Sequence, residues 1–353
     1  MKILLELFQG MLLQIASLNT PTGDVFAAGE WLTRYLFREY HQALDVEPNS
    51  WEKVRRDLHY QIKTPRGLPP FPGVILLHGS SPAFSQSMMK RSEILLANGY
   101  AVMIVNSFTR SRCLENYFGE AEPPDKYKVL CNVPRTFSDQ IPAVMASYID
   151  RVTKGYTLLP AERTQDLFAA LEVIRGDIRV DAGRLSIIGY SHGGSVVLEA
   201  LSLARAGQPP PGLDTLPENV LDGVNATVVY YPSCQPSTYY RWFESIASIP
   251  TLMIQANQDE YVTPYFCRDT ANIINYRSGK QMIEVLSFQN KHAFDMREYP
   301  EAFDPVNAEK ATEKTLTFIR KNSNACPVPH KMALFQWQIH QQLTYNILWN
   351  PFF

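Results

Sequence analysis

The chain predicts an α/β fold, a mostly parallel central sheet with helices on both faces, and two observations carry that prediction. Short continuous apolar runs recur at residues 74–77, 100–105, 185–189, 226–231, 251–256 and 282–288. Runs of that kind mark strands buried on both faces of a parallel sheet. Helical patterns lie between several of them: residues 162–175 set Leu167, Ala170, Leu171 and Ile174 at i, i+3, i+4 and i+7, and residues 195–206 are rich in Ala, Leu and Val. Alternating strands and helices imply right-handed crossovers, and ligands of such sheets bind outside the carboxyl ends of the strands.

The elements follow in order. Residues 57–64 alternate like a half-buried strand, and the Pro/Gly stretch 65–73 delivers the chain into the first buried strand at 74–77. Three segments exceed a minimal domain. Residues 1–50 read as an N-terminal helical extension, with 1–18 a docked amphipathic helix in preference to a signal peptide, because Glu6, Gln9 and Gln14 interrupt its apolar run. Residues 51–323 form one domain carrying an inserted segment at 112–161, a candidate lid or a helical excursion. Residues 324–353 are an aromatic C-terminal tail expected to dock on the domain.

Composition narrows the function. At 353 residues, 45% hydrophobic and 19% charged, the chain has the make-up of an ordinary globular protein. Its 33 Lys plus Arg stand against 35 Asp plus Glu, so no basic patch announces a nucleic-acid partner. No charge-free run of about 18 apolar residues predicts a membrane span. The five cysteines show no C-x-x-C pair and no histidine at ligand spacing, so no metal site is expected. Neither compartment, cytoplasmic or periplasmic/secreted, nor oligomeric state follows from these features.

The strongest chemical signal is Gly189-Tyr190-Ser191-His192-Gly193-Gly194, placed directly after an apolar strand and before an apolar helix. This is the G-x-S-x-G nucleophile elbow in its required setting. The turn is so tight that side chains beside the serine would strike neighbouring backbone, and the helix N-terminus offers amides and a positive dipole end to an oxyanion. A serine hydroxyl needs a base, and the base needs an acid. Beyond Ser191 the histidines are His192, His292, His330 and His340. His192 adjoins the nucleophile, and His330 and His340 lie in the tail. His292 follows the strand 282–288, in the loop where the base of such a fold belongs. Asp259 and Glu260 both follow the strand 251–256, and either could supply the acid. The strand 74–77 leads into His78-Gly79-Ser80-Ser81, where the amides of Gly79 and Ser80 can complete an oxyanion hole with that of His192. His78 itself reads as a structural hydrogen-bonding residue.

With these parts in place, residues 55–323 resemble the dienelactone hydrolase family of the α/β-hydrolase superfamily, especially its larger serine-bearing relatives. The resemblance rests on residues 72–79, Asn106-Ser107-Phe108, Arg163 with Asp166, the elbow, the Asp259 loop and His292-Ala293-Phe294-Asp295, read as H-x-F-D. It implies Asp259 over Glu260 as the acid. The enzymes that named the family carry cysteine at the elbow. Ser191 departs from them, so their dienelactone substrate is not carried over. The resemblance also implies that Cys234 and Cys267 lie close enough to bond, which would favour an oxidising compartment; Cys113 with Cys131 is a weaker second pair.

The expected function is hydrolysis of carboxylic esters or lactones through a Ser191, His292, Asp259 acyl-enzyme mechanism, with a small-molecule substrate and no cofactor. Two rivals stand beside it. The same triad could serve a serine peptidase or acyltransferase, or the fold could be a catalytically silent interaction module.

Overall fold

The computed structural model describes residues 49–107, 160–234 and 249–323. Nearly all of the expected N-terminal extension and inserted segment, the whole tail, and Cys113 with Cys131 lie outside these residues.

Among the described residues the chain runs α1 (Trp51–Asp57), β1 (His59–Lys63), β2 (Phe71–Leu77), α2 (Gln86–Ala97), β3 (Ala101–Asn106), α3 (Pro160–Gly176), β4 (Val180–Tyr190), α4 (His192–Ala206), β5 (Val224–Tyr230), β6 (Thr251–Ala256), α5 (Pro264–Ser278), β7 (Ile283–Phe288) and α6 (Pro305–Ser323). Seven strands form one sheet in the order β1-β3-β2-β4-β5-β6-β7. Only β1 is antiparallel, pairing His59 with Asn106 through Lys63 with Val102. The other neighbours are parallel, as continuous apolar runs require.

Burial follows the sequence pattern. All six residues of β6 and residues 73–77 of β2 are buried, whereas β1, at the sheet edge, is exposed over His59, Tyr60 and Gln61. Alternate strand residues feed two cores. Ile75, Leu77, Ile187, Val229 and Met253 meet α3 and α4 residues on one face, and Val74, Leu76, Ile188, Val228 and Ile254 join Met88 and Ile319 on the other. Leu167, Ala170, Leu171 and Ile174, the stripe expected of α3, are all fully buried. On α6 the buried residues Ala311, Thr315, Ile319 and Ser323 recur every fourth position, one stripe facing the sheet.

Two differences from the sequence reading have local causes. Strand β4 starts at Val180, because Val180 and Asp181 pair with Phe71 and Pro72 before the register shifts and Leu185 takes up Gly73; the Asp-Ala-Gly-Arg between them hides this extension from an apolar count. The half-buried strand expected at 57–64 is shorter, running His59–Lys63 without alternation in burial, since Ser50 caps α1 by accepting from the Lys53 amide and Asp57 is the last residue of that helix.

Cys234, just past β5, is disulfide-bonded to Cys267 in α5, with Cα atoms 5.0 Å apart. The bond ties the end of β5 to the helix that follows the β6 loop. Its 33-residue separation gives a chain-entropy stabilisation of about 3–4 kcal/mol. Thermal unfolding with and without a thiol reductant tests this. Reduction is expected to lower the Tm of the wild-type chain, and Cys234→Ala should melt where the reduced protein does and ignore the reductant.

Candidate active site

The parallel strands β4, β6 and β7 deliver three loops to one edge of the sheet. At the end of β4, Ser191 takes φ 50° and ψ −116°, a conformation that L residues avoid. It persists because its surroundings leave no alternative. The Ser191 amide donates to Tyr230 O at 2.8 Å, the helix α4 starts at the next residue, and the Ser195 amide donates to Ser191 O at 3.1 Å. The flanking glycines are steric necessities: a Cβ on Gly189 would lie 2.3 Å from Gly193 O, and one on Gly193 would lie 2.5 Å from the carbonyl oxygens of both Leu77 and His78. The elbow is thus wedged against the end of β2.

The loops after β6 and β7 are zipped together by their backbones. Asn257 N donates to Phe288 O at 2.8 Å and Gln258 N to Asn290 O at 2.9 Å. This pairing brings Asp259 and His292 into register. His292 Nδ1 donates to Asp259 Oδ2 at 2.6 Å, and its Nε2 lies 2.9 Å from Ser191 Oγ. Asp259 Oδ1 accepts from the amides of Tyr261 and Val262 at 2.9 and 3.0 Å. Both carboxylate oxygens are therefore occupied, with the side chain fully buried and that of His292 12% exposed. An acceptor at Nδ1 sets the tautomer and leaves Nε2 free to accept a proton from the serine hydroxyl. Two tyrosine rings confine the imidazole: Tyr231 with its centroid 4.6 Å away and Tyr261 at 5.3 Å. Glu260 is exposed and stands outside this chain of hydrogen bonds.

The loop after β2 lies against the elbow. A Cβ on Gly79 would sit 3.1 Å from Tyr190 O and 3.2 Å from Ser191 Cβ, so the Gly79 backbone borders Ser191. His192 is the first residue of α4, where a helix amide has no partner within its own helix. The loop is braced from beneath. The His78 ring, fully buried, holds Gly79 O and Ser81 O through Nδ1, both at 2.9 Å. Buried Arg163 donates to His78 O at 2.8 Å and to His192 Nδ1 at 2.7 Å. The sequence marked Arg163 only as part of a resemblance; its work as a brace became visible with the distances, since no local pattern links α3 to residues 78 and 192.

Burial pushes the His78 imidazole well below its ordinary value, and the neighbouring Arg163 and His192 push the same way, against the Ser81 and Gly79 carbonyls. The folded chain thus refuses a proton that the unfolded chain takes up below about pH 6.5. This contribution to stability is intact above that pH and is lost as pH falls beneath it, by up to about 1.4 kcal/mol per pH unit. Urea unfolding between pH 8 and pH 5 checks the sign. The wild-type chain should lose stability in that window, and His78→Asn should flatten the slope.

No protein-family model matches the chain, and no curated protein matches it in sequence. Solved structures do match in fold. One, assigned as a dienelactone hydrolase from Klebsiella pneumoniae, is 15% identical, with a TM-score of 0.50 over 74% of this chain and 92% of that one. Another is esterase 2 of Thermogutta terrifontis phosphorylated by paraoxon, 14% identical, with a TM-score of 0.51 over 77% of this chain and 91% of that one. The same esterase phosphonylated by sarin gives 13% identity and a TM-score of 0.51, covering 78% and 96%. The sheet order, the elbow and these neighbours together give the chain the α/β-hydrolase fold.

Proposed function

We propose that the chain is a serine hydrolase of carboxylic esters or lactones, acting through Ser191, His292 and Asp259. The observation that carries this reading is the unbroken relay from Ser191 Oγ through His292 to Asp259, at 2.9 and 2.6 Å, on a strained elbow. Such strain holds the Ser191 hydroxyl at a helix N-terminus, where it makes no capping hydrogen bond. The dienelactone hydrolase and esterase assignments of the fold neighbours point the same way.

In the first step His292 Nε2 takes the Ser191 proton as Oγ bonds to the acyl carbon, and the carbonyl π pair moves onto oxygen. Asp259 stabilises the imidazolium without taking its proton. The amides of His192 and of Gly79 or Ser80 receive the oxyanion. Collapse expels the alcohol, which leaves with the proton from His292. Water, deprotonated by His292, then attacks the acyl-enzyme, and Ser191 departs with that proton. A lactone follows the same path, its alcohol remaining attached to the acid. The disulfide between Cys234 and Cys267 supports an oxidising compartment for this chemistry.

Hydrolysis of p-nitrophenyl acetate, butyrate and octanoate tests the reading. Wild-type protein should turn over at least one of them. Ser191→Ala should fall by about three orders of magnitude or more, as loss of a triad nucleophile does. A stoichiometric organophosphate adduct on Ser191, found by peptide mass spectrometry, is the expected second sign. Preference for peptide anilides over esters would move the reaction class to peptidase. Inertness of wild type and variant alike, with no adduct, would favour an interaction module.

A further inference from the structure

The relay leaves a question of mechanics. His292 hangs on the loop after β7, and its neighbour Ala293 is forced to φ 59°. Asp259 fixes only one atom of the ring. A second set of buried groups meets this loop, and the acyl-transfer steps do not use it.

Asp295 lies three residues beyond His292, in a turn closed by Met296 N donating to Ala293 O at 2.9 Å. Its carboxylate is shared between two donors: Arg91 of α2 pairs with Oδ2, and the Tyr231 hydroxyl donates to Oδ1 at 2.7 Å. The ion pair is deeply buried, with Arg91 10% and Asp295 7% exposed. The Arg91 guanidinium also lies 3.7 Å above the ring of Tyr190, the residue preceding the nucleophile. Tyr231, itself at φ 36°, presses its ring on His292. Arg91 thus touches the neighbour of the nucleophile, and through Asp295 and Tyr231 it reaches the loop and the ring of the base. A second latch reinforces the first: the Ser87 amide at the start of α2 donates to Glu298 Oε1 at 2.7 Å, and Ser87 Oγ bonds the other oxygen of that carboxylate.

We propose that Arg91, Asp295 and Tyr231 are positioning residues that set the His292 imidazole between Ser191 and Asp259, an inference that rests on the hydrolase reading. The Tyr231 hydroxyl fixes the plane of the ring that lies tilted against the imidazole, Asp295 fixes the height of the loop, and Arg91 references both to the elbow. The chemistry follows from the tolerance of proton transfer, which fails when donor and acceptor move apart by a fraction of an ångström to an ångström.

The test measures the acylation rate of the full chain with p-nitrophenyl butyrate, per active site titrated by the burst. Tyr231→Phe, which removes one oxygen and keeps the ring, is expected to slow acylation about tenfold with KM within about twofold. Asp295→Asn is expected to slow it about a hundredfold. The double variant should be no slower than Asp295→Asn, because the hydroxyl acts through the carboxylate. Lys90→Ala, on the exposed side of the same helix, should match wild type. Acylation within twofold of wild type in both single variants, or losses that multiply in the double variant, would overturn the proposal. A readout without substrate separates its failure from that of the hydrolase reading. The Nδ1 proton of His292 on Asp259, in a 2.6 Å hydrogen bond, is expected to give a low-field NMR resonance, identified by its absence in His292→Ala. Its exchange with water should quicken in Tyr231→Phe and Asp295→Asn even if no ester is turned over. An unchanged resonance and exchange rate would sink the positioning role.

Discussion

The arrangement depends on one steric contact, the approach of Gly193 to the end of β2. Helix α4 can begin immediately after Ser191 only if its first turn lies on the carbonyls of Leu77 and His78, where any Cβ at residue 193 would stand 2.5 Å from both oxygens. That contact forces Ser191 into its strained conformation and lifts Oγ clear of the sheet. It also brings Gly79, in the loop after β2, beside Ser191. A single packing constraint therefore sets the Ser191 turn and the neighbouring loop together, and the central position of β4, between β2 and β5, gives it the rigidity to hold.

The remaining parts are brought in by parallel pairing. Ser191 and His292 are 101 residues apart, yet β4 to β7 end at the same edge because each adjacent pair is parallel. Sheet pairing alone places loops to within a few ångströms. The backbone bonds from Asn257 to Phe288 and Gln258 to Asn290 continue the β6 and β7 pairing past the strands themselves. The loops thereby inherit the precision of the sheet, and Asp259 meets the imidazole through Oδ2 while two backbone amides hold Oδ1.

Much of this was legible in the sequence because the signals are local. The six apolar runs, the elbow glycines and the histidine after the last strand each occupy a few consecutive residues, and each reappears as a strand, a turn or a loop where the pattern put it. Asp259 against Glu260 was not separable by local pattern, since both follow β6; the structure separates them by hydrogen bonding. The Arg163 brace and the Arg91–Asp295 pair were illegible for a different reason. Arg91 and Asp295 are 204 positions apart, and each side chain reads as a surface charge until its environment is known. The polar start of α3, buried on every side from Glu162 to Asp166, likewise contradicts the rule that helical charges face solvent. Cys234 and Cys267 were paired by resemblance alone; the 5.0 Å between their Cα atoms supplies the physical ground.

The buried ion pair between Arg91 and Asp295 makes poor sense as a stabilising device. Removing two charges from water costs several kcal/mol each, and well-packed apolar replacements are often as stable or more so. Its merit is directional. An apolar contact tolerates sliding, whereas a guanidinium and a phenol that divide two carboxylate oxygens between them fix position and angle at once. The same holds for Arg163 beneath residues 78 and 192. Both arginines lie directly behind backbone that is strained or irregular, and neither is used where the regular strands and helices already fix the geometry. These two charged contacts thus stand where apolar packing does not specify an orientation, beside the backbone that carries Ser191, His192 and His292.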